Sequence, residues 1–356
     1  MSRVAGVDPG TVSFDLCVLD DGEPVVEQVF ATDSLSEDSE PLLEALGRYG
    51  PYDLVYGPSG YGLPLIPAAG VGERELAEMV LVRPDEAHAD AGIGGMRSLL
   101  RALARSGHPV IFGPGVIHLP SVPRHRKYNR IDLGTADKVC AAAYAIVEQS
   151  ARRAIGLTET AMVLLELGGA FTAALAIAGG QIVDGVGGSS GPLGARAAGA
   201  LDGEVAYLLG PALRKHTLFT GGALDPKGAL TMSALAASWS SPAHAEGWTA
   251  LLEAATKAVR ALLVSVPAPY EIVVSGRLAR MPELIEALSP LLRDVAPVIA
   301  LRSGRASAAA HGGALLADAL VGGPNAALAE ALRLRESSGT ALDYLRLAGA
   351  ETISLG

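Results

Sequence analysis

The chain has 356 residues with 28 Lys and Arg against 38 Asp and Glu, a formal charge of −10; at roughly 100–200 residues per domain, that length predicts two or three domains. A hydrophobic fraction of 49% with 19% charged residues excludes a disordered interaction tail. The acidic balance repels duplex nucleic acid and anionic membrane, and five Phe and two Trp leave few stacking platforms for single strands, so neither partner is expected. Cys17 and Cys140 are the only cysteines, which rules out a disulfide framework or zinc cluster and fits a reducing cytoplasm.

The chain opens on a predicted three-stranded meander: Val4 to Val7, the turn Asp8-Pro9-Gly10-Thr11-Val12-Ser13, Phe14 to Leu19, the hairpin Asp21-Gly22, and Pro24 to Val29. Asp53 to Tyr56 reads as a strand, Gly94 to Ser106 as a helix and Val110 to Phe112 as a strand. Pro120 to Arg130 is Pro-rich and basic and reads as a solvated surface loop. Ala136 to Arg153 has helical apolar spacing.

Ala161 to Val183 carries one charge, Glu166, and a hydropathy scan could mistake it for a membrane helix. Gly168-Gly169 and Gly179-Gly180 cut it to strand lengths, so it reads as a second meander. A shift of 158 residues aligns Asp8 with Glu166, Gly10 with Gly168, Gly22 with Gly180 and Val25 with Val183, the mark of an internal duplication. Further on, helices are predicted at Glu204 to Leu209, Thr249 to Leu263, Met281 to Leu292 and Ala306 to Leu320, and strands at Tyr270 to Val274 and Val298 to Leu301. A closing helical segment, Ala326 to Leu347, is expected to pack back on the first domain.

Two turns, each with a carboxylate and small residues, suit a nucleotide phosphate chain held between two domains. Gly10, Gly168 and Gly169 let backbone N–H groups approach phosphate, while Thr11, Ser13 and Thr172 hydroxyls can donate to it. Asp8 and Glu166 can hold Mg²⁺ through water. An apolar strand ending in Ser275-Gly276 and leading into a helix offers a flat surface for a base. Each feature also has a plainer reading. A lone turn of this kind is an ordinary hairpin, and Asp132 and Asp137 flank a helix start where carboxylates commonly cap.

In this order, the Asp-x-Gly-Thr-x-Ser turn at Asp8, the acidic-x-Gly-Gly turn at Glu166 and the Val-x-Ser-Gly turn ending at Gly276 resemble the acetate and sugar kinase, heat-shock cognate and actin superfamily. The likeness spans almost the whole chain and is nearest to the acetate and butyrate kinases, in particular the predicted butyrate kinase family. Asn129 to Lys138 is similar to the Arg-Tyr-Gly-Phe-His-Gly-Thr-Ser-His segment of acetate kinase, with Leu133 at its active-site His and Asp137 at its second His. Asp184 to Arg196 resembles the loop that brings a catalytic Arg to the transferring phosphoryl group.

The resemblance implies an α/β fold of two ribonuclease-H-like domains with a nucleotide cleft between them. Residues 1–145 would form the first domain, 146–321 the second, and about 322–356 would return to the first. It implies ATP and Mg²⁺, a small carboxylate substrate such as butyrate, and a possible homodimer. Arg196, Asp132 and Asp137 would be catalytic; Asp8, Gly10, Thr11, Ser13, Gly168, Gly169, Thr172, Ser275 and Gly276 would bind nucleotide; Asp8 and Glu166 would face the metal. Two other readings stay open: an ATP-binding conformational switch without turnover, and a sugar or polyol kinase with a base at Asp132 or Asp137.

Overall fold

The computed structural model describes residues 2–10, 13–31, 40–57, 60–86 and 93–356. The fold is mixed α/β, built on two sheets. The first contains β1 (Arg3–Pro9), β2 (Ser13–Asp20), β3 (Glu23–Ala31), β4 (Leu54–Gly57), β5 (Ile66–Pro67) and β6 (Val110–Phe112), in the order β3-β2-β1-β4-β6-β5. The second contains β7 (Ala161–Leu167), β8 (Thr172–Ala178), β9 (Gln181–Val186), β10 (Glu271–Ser275) and β11 (Val298–Ala300), in the order β11-β10-β7-β8-β9.

Each sheet is an antiparallel meander with two parallel strands added beside its first strand, and in the first sheet the two-residue β5 pairs antiparallel with β6 at the far edge. The repeat extends to irregularities: the register shifts between Val18 and Leu19 in one sheet and between Ala176 and Ile177 in the other, again 158 residues apart. A strand bulge needs an unpaired residue at a defined place, so its recurrence at the offset read from the sequence fits a duplicated unit.

Period-2 alternation decides which side chains face which layer. Ala5, Val7, Leu16 and Val18 point outward to α1 (Glu40–Tyr49), α2 (Glu73–Val80) and α3 (Ile93–Arg105). Their neighbours Val4, Cys17 and Leu19 point inward, toward the central helix α4 (Ala136–Arg153). In the second sheet Leu164 and Leu175 face that same central layer, while Val163, Leu165 and Leu167 face α5 (Ala245–Leu262) and α6 (Pro282–Leu292). The second central helix is α7 (Ala308–Val321). Strands covered on both sides read as continuous apolar runs, which is why Ala161 to Val183 has so little charge. Among the described residues no helix is long and apolar enough to cross a membrane.

The central helices are nearly all Ala and Gly where they meet. A Cβ added to Gly312 would lie 1.8 Å from the carbonyl oxygen of Cys140, and one added to Gly6 would lie 2.2 Å from that of Ala310. Backbone contacts backbone there, and Cys17 and Cys140 are buried free thiols in this layer.

Two expectations need correction. Pro120 to Arg130 is not a solvated loop throughout: Arg124–Lys127 forms a helical turn, and the Lys127 side chain is buried, with Nζ donating to Leu119 O at 2.9 Å and lying 5.0 Å from the Tyr344 ring centre. Arg126 donates to Val183 O at 2.7 Å. These cations hold loops together. The segment Ala326 to Leu347 is α-helical only over Ala326–Ala331. Beyond it the chain runs irregularly across the first half, with Ser338 N donating to His118 O at 3.1 Å and Asn129 N to Tyr344 O at 3.0 Å.

Gly312→Val is expected to destabilise the protein by about 3 kcal/mol or more, because the helix pair cannot open without disturbing both sheets. Urea unfolding against wild type measures it; a loss under about 1 kcal/mol would mean that the contact relaxes freely.

Candidate functional site

The turns between β1 and β2 and between β7 and β8 open onto one cavity of about 1270 Å³. Gly10 N donates to Ser13 O at 2.9 Å, and Gly168 N donates to Phe171 O at 3.0 Å, the same turn at the 158-residue offset. Asp8, Gly10, Glu166, Gly168 and Gly169 all line the cavity, as do Asp132, Asp137 and Gly276. Gly276 holds φ at +90°, and a Cβ there would lie 2.4 Å from Leu167 O, so the turn after β10 requires glycine.

Both central helices begin at this cavity. Thr135 precedes α4 and Ser307 caps α7, its hydroxyl accepting from Ala310 N at 3.1 Å and donating to Asp8 at 2.6 Å. Helix N-termini favour anions. The carboxylates Asp8, Asp15, Asp137 and Glu166 face the same space, and Lys138 answers them. Its Nζ lies 2.6 Å from Asp137 and 3.6 Å from Glu166.

This arrangement splits the titrations. Burial alone would raise the Asp137 carboxyl, but Lys138 and the Thr135 hydroxyl hold it below the usual carboxylate range. Burial would lower Lys138, yet Asp137 and Glu166 hold its ammonium well above the ordinary lysine value. Asp8 is pushed up to about 7, by burial first and then by the Asp137 charge. The cluster therefore contains one carboxyl that ionises near neutrality, beside a pair that is fixed as charged.

Arg277 reaches across from the Gly276 turn to donate to the Ser13 hydroxyl, which in turn donates to Asp15. Asp15 also accepts from Ser307 N at 2.7 Å. Ser13, expected to face phosphate directly, is thus engaged in a link between the two sheets. Asp132 accepts from Gly134 N at 3.1 Å and from Ser189 N and Oγ, both at 2.9 Å, so its carboxylate pins the glycine loop around Gly188 against the cavity.

Three expected residues lie elsewhere. Arg196 is absent from the cavity lining: its Nε donates to Asp225 at 3.1 Å and its Nη2 to Leu230 O. The loop before it does reach the cavity, through Gly188 and Ser189, but the chain then turns so that Arg196 braces Asp225. Thr172 is buried opposite Leu167 in the meander and does not line the cavity. Ser275 is buried in the sheet beside Glu166, to which it donates, and does not line the cavity. Thr11 lies outside the described residues.

The sequence reading missed Tyr61 and Lys215, which line the cavity beside Asp132. Lys215 follows a stretch with no recognisable motif, and only the fold brings it to the first half. Asp15 and Ser307 were missed too; Ser307 fell inside the expected Ala306 to Leu320 helix, whereas it caps a helix that begins at Ala308.

A family profile described as "Protein of unknown function (DUF1464)" matches residues 6–347. No curated protein matches the sequence. Among solved structures, Porphyromonas gingivalis acetate kinase is similar with a TM-score of 0.59 at 13% identity, covering 90% of this chain and 100% of that one. A propionate kinase from Francisella tularensis subsp. tularensis SCHU S4 matches at 0.58 and 12%, covering 88% and 99%. The ROK hexokinase of Thermus thermophilus gives 0.46 at 19%, covering 90% and 99%. At these identities the likeness establishes a shared fold with the acetate and propionate kinases.

Arg196→Ala is expected to cost about 2–4 kcal/mol of stability by leaving buried Asp225 without its cation, and to leave nucleotide affinity unchanged. Urea titration and nucleotide titration check the two halves.

For Asp8, a folded value near 7 against the usual 3.8 means that ionisation opposes folding. That stability is present in full at low pH and lost as the pH rises from about 4 through about 7. Asp8→Asn should therefore match wild type in acid and exceed it by on the order of 4 kcal/mol at pH 8, read from urea midpoints across the range.

Proposed function

We propose that this chain, which belongs to the family described as a protein of unknown function (DUF1464), is a cytoplasmic ATP-dependent phosphotransferase with a small carboxylate acceptor such as butyrate. The observation that carries the reading is the pair of equivalent glycine turns, at Gly10 and Gly168, opening on one cavity with the Gly276 turn. Residues 1–145 and 146–321 then serve as two ribonuclease-H-like domains, with 322–356 packing on the first and the nucleotide between them. The fold shared with acetate and propionate kinases supports this division.

Among the described residues no group of three His, Cys, Asp or Glu is placed to hold a metal alone. That suits Mg²⁺, which keeps most of its waters and arrives with nucleotide phosphates, needing one or two carboxylates. Asp8 and Glu166 fit such a role. Bound there, the ion would supply charge neutralisation at the phosphates. Asp8 ionises near neutral pH, so a cation arriving with ATP would fix it as a carboxylate and release a proton.

The chain's own residues supply the rest. The two glycine turns and the two helix N-termini border the cavity in which a phosphate chain would lie. Lys138 offsets one of the two charges of Asp137 and Glu166, so the anion enters a cavity that is not wholly negative. A carboxylate acceptor is already deprotonated at pH 7 and attacks phosphorus without a base. This favours it over a hydroxyl acceptor, because Asp132 is engaged by three donors and Asp137 by Lys138 and Thr135.

The test is incubation with ATP·Mg²⁺ and monocarboxylates of two to six carbons, trapping acyl phosphate as hydroxamate, with glucose and glycerol as parallel acceptors. Acyl phosphate is the expected product, and Gly168→Val should abolish nucleotide binding because its side chain collides with Phe171 O. Phosphorylation of the polyols alone would overturn the acceptor class, and tight ATP binding without turnover on any acceptor would favour a conformational switch.

A further inference from the structure

Segment 213–216 leaves the second half of the chain and fastens to the first at the cavity mouth. Arg214 pairs with Asp85 at 2.5 Å, Lys215 N donates to Glu86 at 2.8 Å, and Arg83 donates to Leu213 O at 3.1 Å. The backbone at Lys215 is thereby fixed from outside, and its side chain turns inward. Lys215 Nζ donates to the Tyr61 hydroxyl at 3.2 Å and to Leu81 O at 3.1 Å, and lies 4.6 Å from the Tyr61 ring centre. Among the described residues no carboxylate lies within 4.0 Å of this ammonium, in contrast to Lys138.

We propose that Lys215, held by Tyr61, is the residue that binds the carboxylate of the acceptor. The inference rests on the carboxyl-acceptor reading and deepens it. An ammonium has three N–H donors, and two are engaged by neutral oxygens, which leaves one for an anion. Val80 and Val82 flank Leu81, whose carbonyl holds Nζ; together with Phe219, four residues beyond Lys215, they line the same cavity. A cation between apolar walls fits an anion with a short hydrocarbon tail better than a sugar, whose hydroxyls those walls leave unpaired. Tyr61 lies beside Ser189, which donates to Asp132, so the anchor sits next to the glycine loop of the cavity.

A pH signature accompanies the geometry. Burial lowers Lys215 to about 8, against the opposing pull of Asp132 and Glu86, while Tyr61 stays neutral because burial raises it. Arg83, Asp85, Arg214 and His216 are the other charged or titratable groups on the packed segments. Acceptor binding should therefore weaken as the pH rises through about 8. The guanidinium of Lys215→Arg does not titrate there, so that variant should hold its acceptor affinity to higher pH.

The experiment uses the full chain and its Lys215→Met, Lys215→Arg and Tyr61→Phe variants, each checked by thermal melting. KM for butyrate and for ATP are measured from pH 6 to 9.5, with butyrate binding followed separately by titration. Lys215→Met should raise the butyrate KM by roughly 10- to 100-fold, the loss of one charge-assisted hydrogen bond, with the ATP value within about twofold. Lys215→Arg should retain binding and shift the alkaline limb upward, which keeps the test alive if Lys215→Met does not fold. Tyr61→Phe should give a smaller rise. If wild type forms acyl phosphate but Lys215→Met binds butyrate equally well, the anchor is wrong and the acceptor class stands. A larger effect on ATP than on butyrate would assign Lys215 to phosphate and overturn the inference. If wild type binds no monocarboxylate, both fall.

Discussion

The ammonium of Lys138 is the charge on which the cavity depends. Four carboxylates from both sheets and a helix start face one space, and burying them without a cation would cost several kcal/mol each. Lys138 lies one residue after Asp137 and also reaches Glu166, so it joins the second sheet's turn to the helix between the sheets. Asp8, buried and facing the Asp137 charge, ionises near neutrality.

That position is available only because the two central helices touch. Gly312 against Cys140 and Gly6 against Ala310 let backbones approach to a distance that any side chain would forbid. Both helices can then aim their first turns at one cavity, where Ser307 links Asp8 to its own helix. Close packing of small residues therefore sets the electrostatics. The Arg277, Ser13, Asp15 and Ser307 chain closes the same arrangement by linking the two sheets beside the cavity.

Local pattern reveals some parts of the site and hides others for a physical reason. Asp8, Gly10, Glu166, Gly168 and Gly276 are visible in the sequence because turn geometry selects their residue types within a few positions. The same logic misassigned Arg196, since a Gly-Ser loop specifies flexibility but not where the next cation points; buried Asp225 decided that. Lys127 looked like one more charge in a basic run, yet the returning C-terminal segment buries it. Lys215 and Tyr61, 154 residues apart, meet only because segment 213–216 crosses to the first half.

The sequence by itself determined the two meanders, their 158-residue offset and the apolar runs that require cover on both faces, because strand periodicity and turn chemistry act over a few residues. The lone strands and the helix at Ala136 were equally legible. Helices Glu40–Tyr49 and Glu73–Val80 were not, since each is short and its apolar stripe has meaning only against the sheet it covers. Only the tertiary structure decided which cation neutralises which carboxylate. Charges pair by distance in space, and chain positions such as Ser13 and Arg277 carry no trace of each other until the sheets are assembled.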